Sequence, residues 1–128
     1  MNLIIFTDLD ATLLNYEDYS FRGALPSLKR IKRLGVPLII TTSKTRREVE
    51  FIQKDLEIDE PYIVENGAAI YFPPKYMDFF IENNKQEPPF CITHIIQLGT
   101  TYEPIRSFID EMREKFPIRG FGDMSISE

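Results

Sequence analysis

Three short apolar runs, Leu3 to Thr7, Val36 to Thr41 and Tyr62 to Val64, each empty into polar or acidic residues and are separated by two stretches of helical periodicity. Apolar runs of this length, without polar alternation, suit strands buried on both faces, as in parallel sheets. In the first intervening stretch Ala24, Leu25, Leu28, Ile31 and Leu34 recur at three- and four-residue steps, and Gly35 followed by Pro37 supplies a stop. In the second, Thr45 and Glu48 fit a capping box ahead of an inner face of Val49, Ile52 and Leu56. Strand, helix, strand, helix, strand predicts right-handed crossovers and a helix-covered parallel sheet, so the fold class expected is α/β with helices on both faces. Glu65-Asn66-Gly67 closes the third strand, and Ala68 to Phe72 reads as a returning hairpin arm.

Beyond Phe72 the character changes. Pro73, Pro74, Pro88 and Pro89 flank the polar run Glu82 to Glu87, which marks a boundary and divides the chain into segments 1–83 and 84–128. The second segment offers a strand at Phe90 to Leu98 and a helix from about Thr101 with Ile105, Phe108, Ile109, Met112 and Phe116 on one face. A short strand, Pro117 to Phe121, is expected to follow. At 128 residues the chain buries a real core without a disulfide or structural metal. Cys91 is the only cysteine and reads as a small core residue, and His94, alone on an apolar strand, reads as a core or interface residue.

The net charge of −5 disfavours a generic nucleic-acid binder, because phosphate neutralisation supplies most of such binding. No apolar run approaches the ~20 residues of a membrane span, and MNLIIFTDLD lacks the basic start of a signal peptide. The expected setting is the cytoplasm. An anionic substrate would then need local counter-charge, from a metal or a few placed cations.

Asp8 and Asp10 stand at the carboxyl end of the first strand, with Thr12 two residues further on. Ligands of open α/β sheets bind outside the carboxyl ends of the strands, and the second strand delivers Thr42 and Ser43 to the same edge. A carboxylate nucleophile, a second carboxyl group and a hydroxyl form a set suited to phosphoryl transfer. One Asp can attack phosphorus, the other can exchange protons with the leaving oxygen and with water, and a hydroxyl can donate to an equatorial oxygen. Mg²⁺, which prefers hard oxygen ligands, would offset the repulsion among these anions.

An apolar strand followed by DLDATLL resembles the first motif of the haloacid dehalogenase superfamily, DxDxT, and PLIITTSKTR resembles its second. The resemblance implies a Rossmann-like core that is only partly present, with Asp8 as nucleophile, Asp10 as acid/base and Thr12 as support for the loop. It implies Mg²⁺ held by Asp8 and Asp10, the latter through its backbone oxygen, and a phosphate-binding hydroxyl at Thr42, with Ser43 as the alternative. TSKTR and ENGAAIYFP are most similar to the mannosyl-3-phosphoglycerate phosphatase branch, whose substrate is a phosphorylated sugar acid. On that likeness 1–83 is part of the core and 84–128 part of an α+β cap, and RGFGDMS resembles a cap segment that encloses the substrate. Lys44, Arg46, Asn66, Arg119, Gly120, Asp123 and Ser125 become the substrate-facing residues. Arg46 draws particular interest because it sits one turn into a helix whose amino end would face phosphate. Arg106 and Arg113, on a helix with acids nearby, read as solvated surface charges.

The complete family site also needs a lysine and a further carboxylate in a GDxxND-like motif, both expected beyond the cap. Gly122-Asp123 does not supply that motif, having neither a buried strand before it nor a second Asp after it. The chain therefore resembles about the first half of such an enzyme and is expected to associate, with itself or with a complementing carboxyl-terminal chain. Two other readings stand beside catalysis. A receiver domain needs an aspartate after its third strand, where Glu65-Asn66-Gly67 stands instead. A non-catalytic remnant would fold and bind a partner or a sugar phosphate without turnover.

Overall fold

The computed structural model describes residues 3–76 and 95–124. Cys91, His94, Ser125 and the expected boundary at 83/84 lie outside the described residues. By contact density the chain divides into two compact units, Met1–Leu98 and Gly99–Glu128.

The first unit is built on a five-stranded sheet in sequence order, β1 Ile5–Thr7, β2 Leu38–Thr41, β3 Tyr62–Val64, β4 Ala69–Tyr71 and β5 Ile95–Gln97. The first three strands run parallel and the last two return antiparallel, so the sheet is mixed. The hairpin arm after Gly67 forms as expected. The strand at Ile95, read with the second segment on sequence grounds, pairs with β4 in this sheet.

Two helices connect the parallel strands, α1 Leu25–Arg33 and α2 Arg46–Leu56. Pro26 in the first turn of α1 forfeits only an N–H that has no helical partner. Gly35 takes a left-handed φ of 63° just past its end, which explains why glycine stands there. Leu34, expected on the buried stripe, is exposed, since the helix ends before it. α2 begins at the predicted cap: the Thr45 N–H donates to the Glu48 carboxylate at 2.8 Å, and the Thr45 hydroxyl donates to it at 2.7 Å.

The core gathers Leu9, Leu14, Ile40, Val49, Tyr62, Val64 and Ala69, with Phe21, Ile52 and Ile95 packed against it. Leu9 is fully buried although it stands between two aspartates. Burying such a side chain contributes roughly 1.5–3 kcal/mol, and it pins the loop that carries both acids. β1 has β2 as its only partner among the described residues, and Leu3, Ile4 and Phe6 are exposed there, Phe6 by 63%.

The second unit is one helix, α3 Tyr102–Arg113, and a short 3-10 turn, Phe121–Asp123. The expected strand at Pro117 to Phe121 does not form. Gly120 and Arg119 are tied instead to Asp123, as described below, and no strand among the described residues pairs with the segment.

The two ends of the sheet should respond differently to truncation. Ile40→Ala empties a fully buried position and is expected to cost about 2–5 kcal/mol, whereas Phe6→Ala should cost about 1 kcal/mol or less. Urea titration of the two variants checks both values, and equal losses would contradict the core described here.

Candidate active site

Register decides which side chains share an edge. Thr7 of β1 lies opposite Ile40 of β2, and Thr41 lies opposite Ile63 of β3, so the three parallel strands end in step. The loops that leave them carry Asp8 to Thr12, Thr42 to Thr45 and Glu65 to Gly67 respectively.

The first loop is closed on the Leu9 carbonyl, which accepts the N–H groups of Thr12 at 3.2 Å and Leu14 at 2.8 Å. Asp8 is exposed and its Oδ1 accepts the Leu9 N–H at 2.7 Å. Ala11 sits in the left-handed region with φ 56°, where a side chain is unfavourable.

In the second loop the Thr42 hydroxyl oxygen accepts the Lys44 N–H at 3.2 Å, which leaves the hydroxyl proton free to donate. Thr42 is buried and Ser43 exposed. Thr41 Oγ1, at the end of β2, is buried without a hydrogen-bond partner. The third loop places Glu65, Asn66 and Gly67 consecutively at positive φ, 51°, 57° and 95°. That conformation is costly for Glu65 and is held from the second loop, because the Glu65 N–H donates to the Lys44 carbonyl and the Asn66 N–H to the Thr42 carbonyl.

Lys44 joins the loops through its side chain as well. Its ammonium lies 3.0 Å from Asp10 Oδ1, 4.0 Å from Glu48 and 5.6 Å from the centre of the Tyr19 ring. The side chain is only 18% exposed, and the Asp10 carboxylate holds its pKa above the usual lysine value. Sequence alone reads Lys44 as a residue facing substrate. Its contact with Asp10 is not legible there, because it depends on how two loops distant in sequence meet.

Arg46 is engaged by other side chains. It pairs with Glu50 at 2.6 Å and stacks on the Tyr71 ring at 4.8 Å. Tyr62 donates to Glu50 at 2.9 Å and stacks on Tyr71, so Arg46 closes a network on the flank of the sheet. In that network the Arg46 guanidinium lowers the pKa of Glu50, while burial and Glu50 raise that of Tyr62.

The second unit carries the other expected substrate residues. Asp123 accepts the Gly120 N–H at 2.9 Å, pairs with Arg106 at 2.6 Å and also pairs with Arg113. The expectation that Arg106 and Arg113 are solvated is therefore corrected. Both are half-buried and bind the carboxylate that the sequence assigned to substrate, because the turn at Phe121–Asp123 brings it back against α3. Arg119 donates to the Asp123 carbonyl at 3.5 Å.

Among the described residues no three His, Cys, Asp or Glu side chains cluster closely enough to enclose a metal ion. Asp8 and Asp10 still offer hard oxygen donors at one strand end. That fits Mg²⁺, which keeps several waters and commonly binds through one or two carboxylates and substrate phosphate. A groove of about 480 Å³ lined by Leu14, Tyr19, Phe21, Lys44 and Phe51 adjoins this edge. The larger hollow, about 510 Å³ between α1 and the end of α2, is lined by none of the residues named for the site.

Glycine at position 11 would accept the left-handed φ without the side-chain penalty, which is roughly 1–2 kcal/mol before the loss of unfolded-state restriction. Ala11→Gly is therefore expected to raise stability by about 0.5–1 kcal/mol. Thermal melting checks this, and a lower midpoint would contradict the loop geometry.

The haloacid dehalogenase-like hydrolase profile matches residues 5–118. The glucosyl-3-phosphoglycerate/mannosyl-3-phosphoglycerate phosphatase of Persephonella marina is 58% identical over 126 residues, 98% of this chain and 45% of the relative. The mannosyl-3-phosphoglycerate phosphatase of Pyrococcus furiosus is 33% identical over 98% of this chain and 49% of its own length. A solved structure from Thermoplasma acidophilum is similar with a TM-score of 0.69 at 16% identity, covering 94% of this chain and 45% of that one. Another, a hypothetical protein from Geobacillus kaustophilus, gives 0.63 at 21% identity over 89% and 37%. No helix among the described residues is long and apolar enough to cross a membrane. The chain spans about half the length of the relatives it matches, and over that half it belongs to the haloacid dehalogenase-like hydrolase family.

Proposed function

We propose that this chain carries the nucleophile, the acid/base and the phosphate-binding hydroxyl of a phosphatase acting on a sugar-acid phosphate, mannosyl-3-phosphoglycerate or its glucosyl counterpart. The observation that carries the reading is the meeting of the β1 and β2 loops, where Lys44 touches Asp10 while Thr42 holds the same turn. The names of the relatives supply the substrate class.

In this reading the exposed Asp8 attacks phosphorus as the bond to the sugar-acid oxygen breaks, and the Asp10 carboxyl gives its proton to that leaving oxygen. Water then attacks the phosphoryl group on Asp8, passing a proton to Asp10. Inorganic phosphate leaves and both groups return to their starting states. The Thr42 hydroxyl donates to an equatorial oxygen as charge spreads over it, with Ser43 as the exposed alternative. Mg²⁺ held by Asp8 and Asp10 would neutralise phosphoryl charge. Asn66 lies on the same edge and is proposed to face substrate, as are Arg119 and Gly120 in the second unit, which we assign to a cap. The proposed setting is the cytoplasm.

A second reading, in which the chain is one half of an assembled enzyme, is favoured by the exposed Leu3, Ile4 and Phe6 on a β1 edge with one described partner. Open edges and apolar patches of this kind promote association.

Phosphate release from mannosyl-3-phosphoglycerate with Mg²⁺ tests the first reading. Asp8→Asn is expected to fall to background, and release at the parental rate would remove the nucleophile assignment. Light scattering behind size exclusion tests the second: dimers or larger are expected, and a cooperatively folded monomer active by itself would contradict it.

A further inference from the structure

We infer that Lys44 is a positioning residue for Asp10, holding one carboxyl oxygen so that the other is presented for proton exchange. The inference rests on the phosphatase reading and gives Lys44 a role other than gripping substrate.

The two oxygens of Asp10 have different surroundings. Oδ1 is buried and its partner is the Lys44 ammonium at 3.0 Å, an ion pair without the alignment of a full hydrogen bond. The side chain as a whole is 41% exposed, so its exposure falls toward Oδ2. The lone pairs of Oδ1 attract the ammonium whether or not Oδ2 carries a proton, so the contact survives both halves of the reaction.

Lys44 is fixed from several directions. Its main chain is bonded to Thr42 Oγ1 and to the Glu65 N–H, and its ammonium lies 4.0 Å from Glu48 and 5.6 Å from the centre of the Tyr19 ring. A side chain 18% exposed and held this way has given up the freedom that a substrate-gripping lysine would keep for its ligand. A proton carrier is effective only within hydrogen-bond reach of its target, so fixing Asp10 bears directly on rate.

The test uses the full chain with Lys44→Met and Lys44→Arg, and two substrates sharing a phosphoryl group but differing in leaving group, glycerol 2-phosphate and p-nitrophenyl phosphate. The alkoxide needs a proton to depart and p-nitrophenolate does not. Lys44→Met is expected to lower kcat/KM for glycerol 2-phosphate about 10²-fold while changing that for p-nitrophenyl phosphate by less than about threefold, with Lys44→Arg restoring most of the loss. Equal losses on both esters would overturn the inference, as would a raised KM at unchanged kcat, since either result makes Lys44 a phosphate grip. A cycle of Lys44→Met, Asp10→Asn and the double variant in denaturant is read alongside. Non-additive midpoint shifts are expected, and additivity would overturn the contact. Should the parental chain hydrolyse neither ester, the phosphatase reading is judged on mannosyl-3-phosphoglycerate and the cycle alone decides whether Lys44 holds Asp10.

Discussion

The parallel pairing of Ile5–Thr7 with Leu38–Ile40 is the constraint on which the rest of the molecule depends. It sets the ends of two strands level, so the loops that leave them have to meet. Once they meet, Leu9 fills the core between two acids, Thr42 turns its loop back on itself, and Lys44 crosses to Asp10. A slip of one residue in this pairing would exchange buried and exposed faces along β1 and carry the acids away from the hydroxyl.

The third strand is drawn into the same arrangement by backbone bonds alone. Glu65 and Asn66 accept left-handed φ values so that their N–H groups can reach the carbonyls of Lys44 and Thr42. Strain of this sort persists where surrounding bonds determine it. Here it fixes Asn66 against the loop that leaves β2. The same unit leaves Phe6 on open surface beside a β1 edge with one described partner.

Local chemistry is legible in the sequence because it is carried by neighbours. The helical periodicities, the Thr45–Glu48 cap and the stop at Gly35 each depend on residues within a turn of one another, and each is found. The acid pair after the first strand and the hydroxyls after the second are readable for the same reason. What the sequence hides depends on long-range geometry. Arg106 and Arg113 look like surface charges because the acid that binds them, Asp123, lies a turn and a loop away. Pro117 to Phe121 resembles a strand in composition, yet no strand among the described residues takes it up. Arg46 looks aimed at phosphate by its place on α2, but the Tyr71 ring and Glu50 claim it, and neither is visible as a neighbour before folding.

The ends of β1, β2 and β3 are proposed to form one anion-binding edge. Amide chemical shifts of the labelled chain, recorded while Mg²⁺ and inorganic phosphate are added together, test it most directly. Saturable shifts confined to Asp8–Thr12, Thr42–Lys44 and Glu65–Gly67 are expected. Shifts on only one of these loops, or centred on the hollow between α1 and the end of α2, would contradict it.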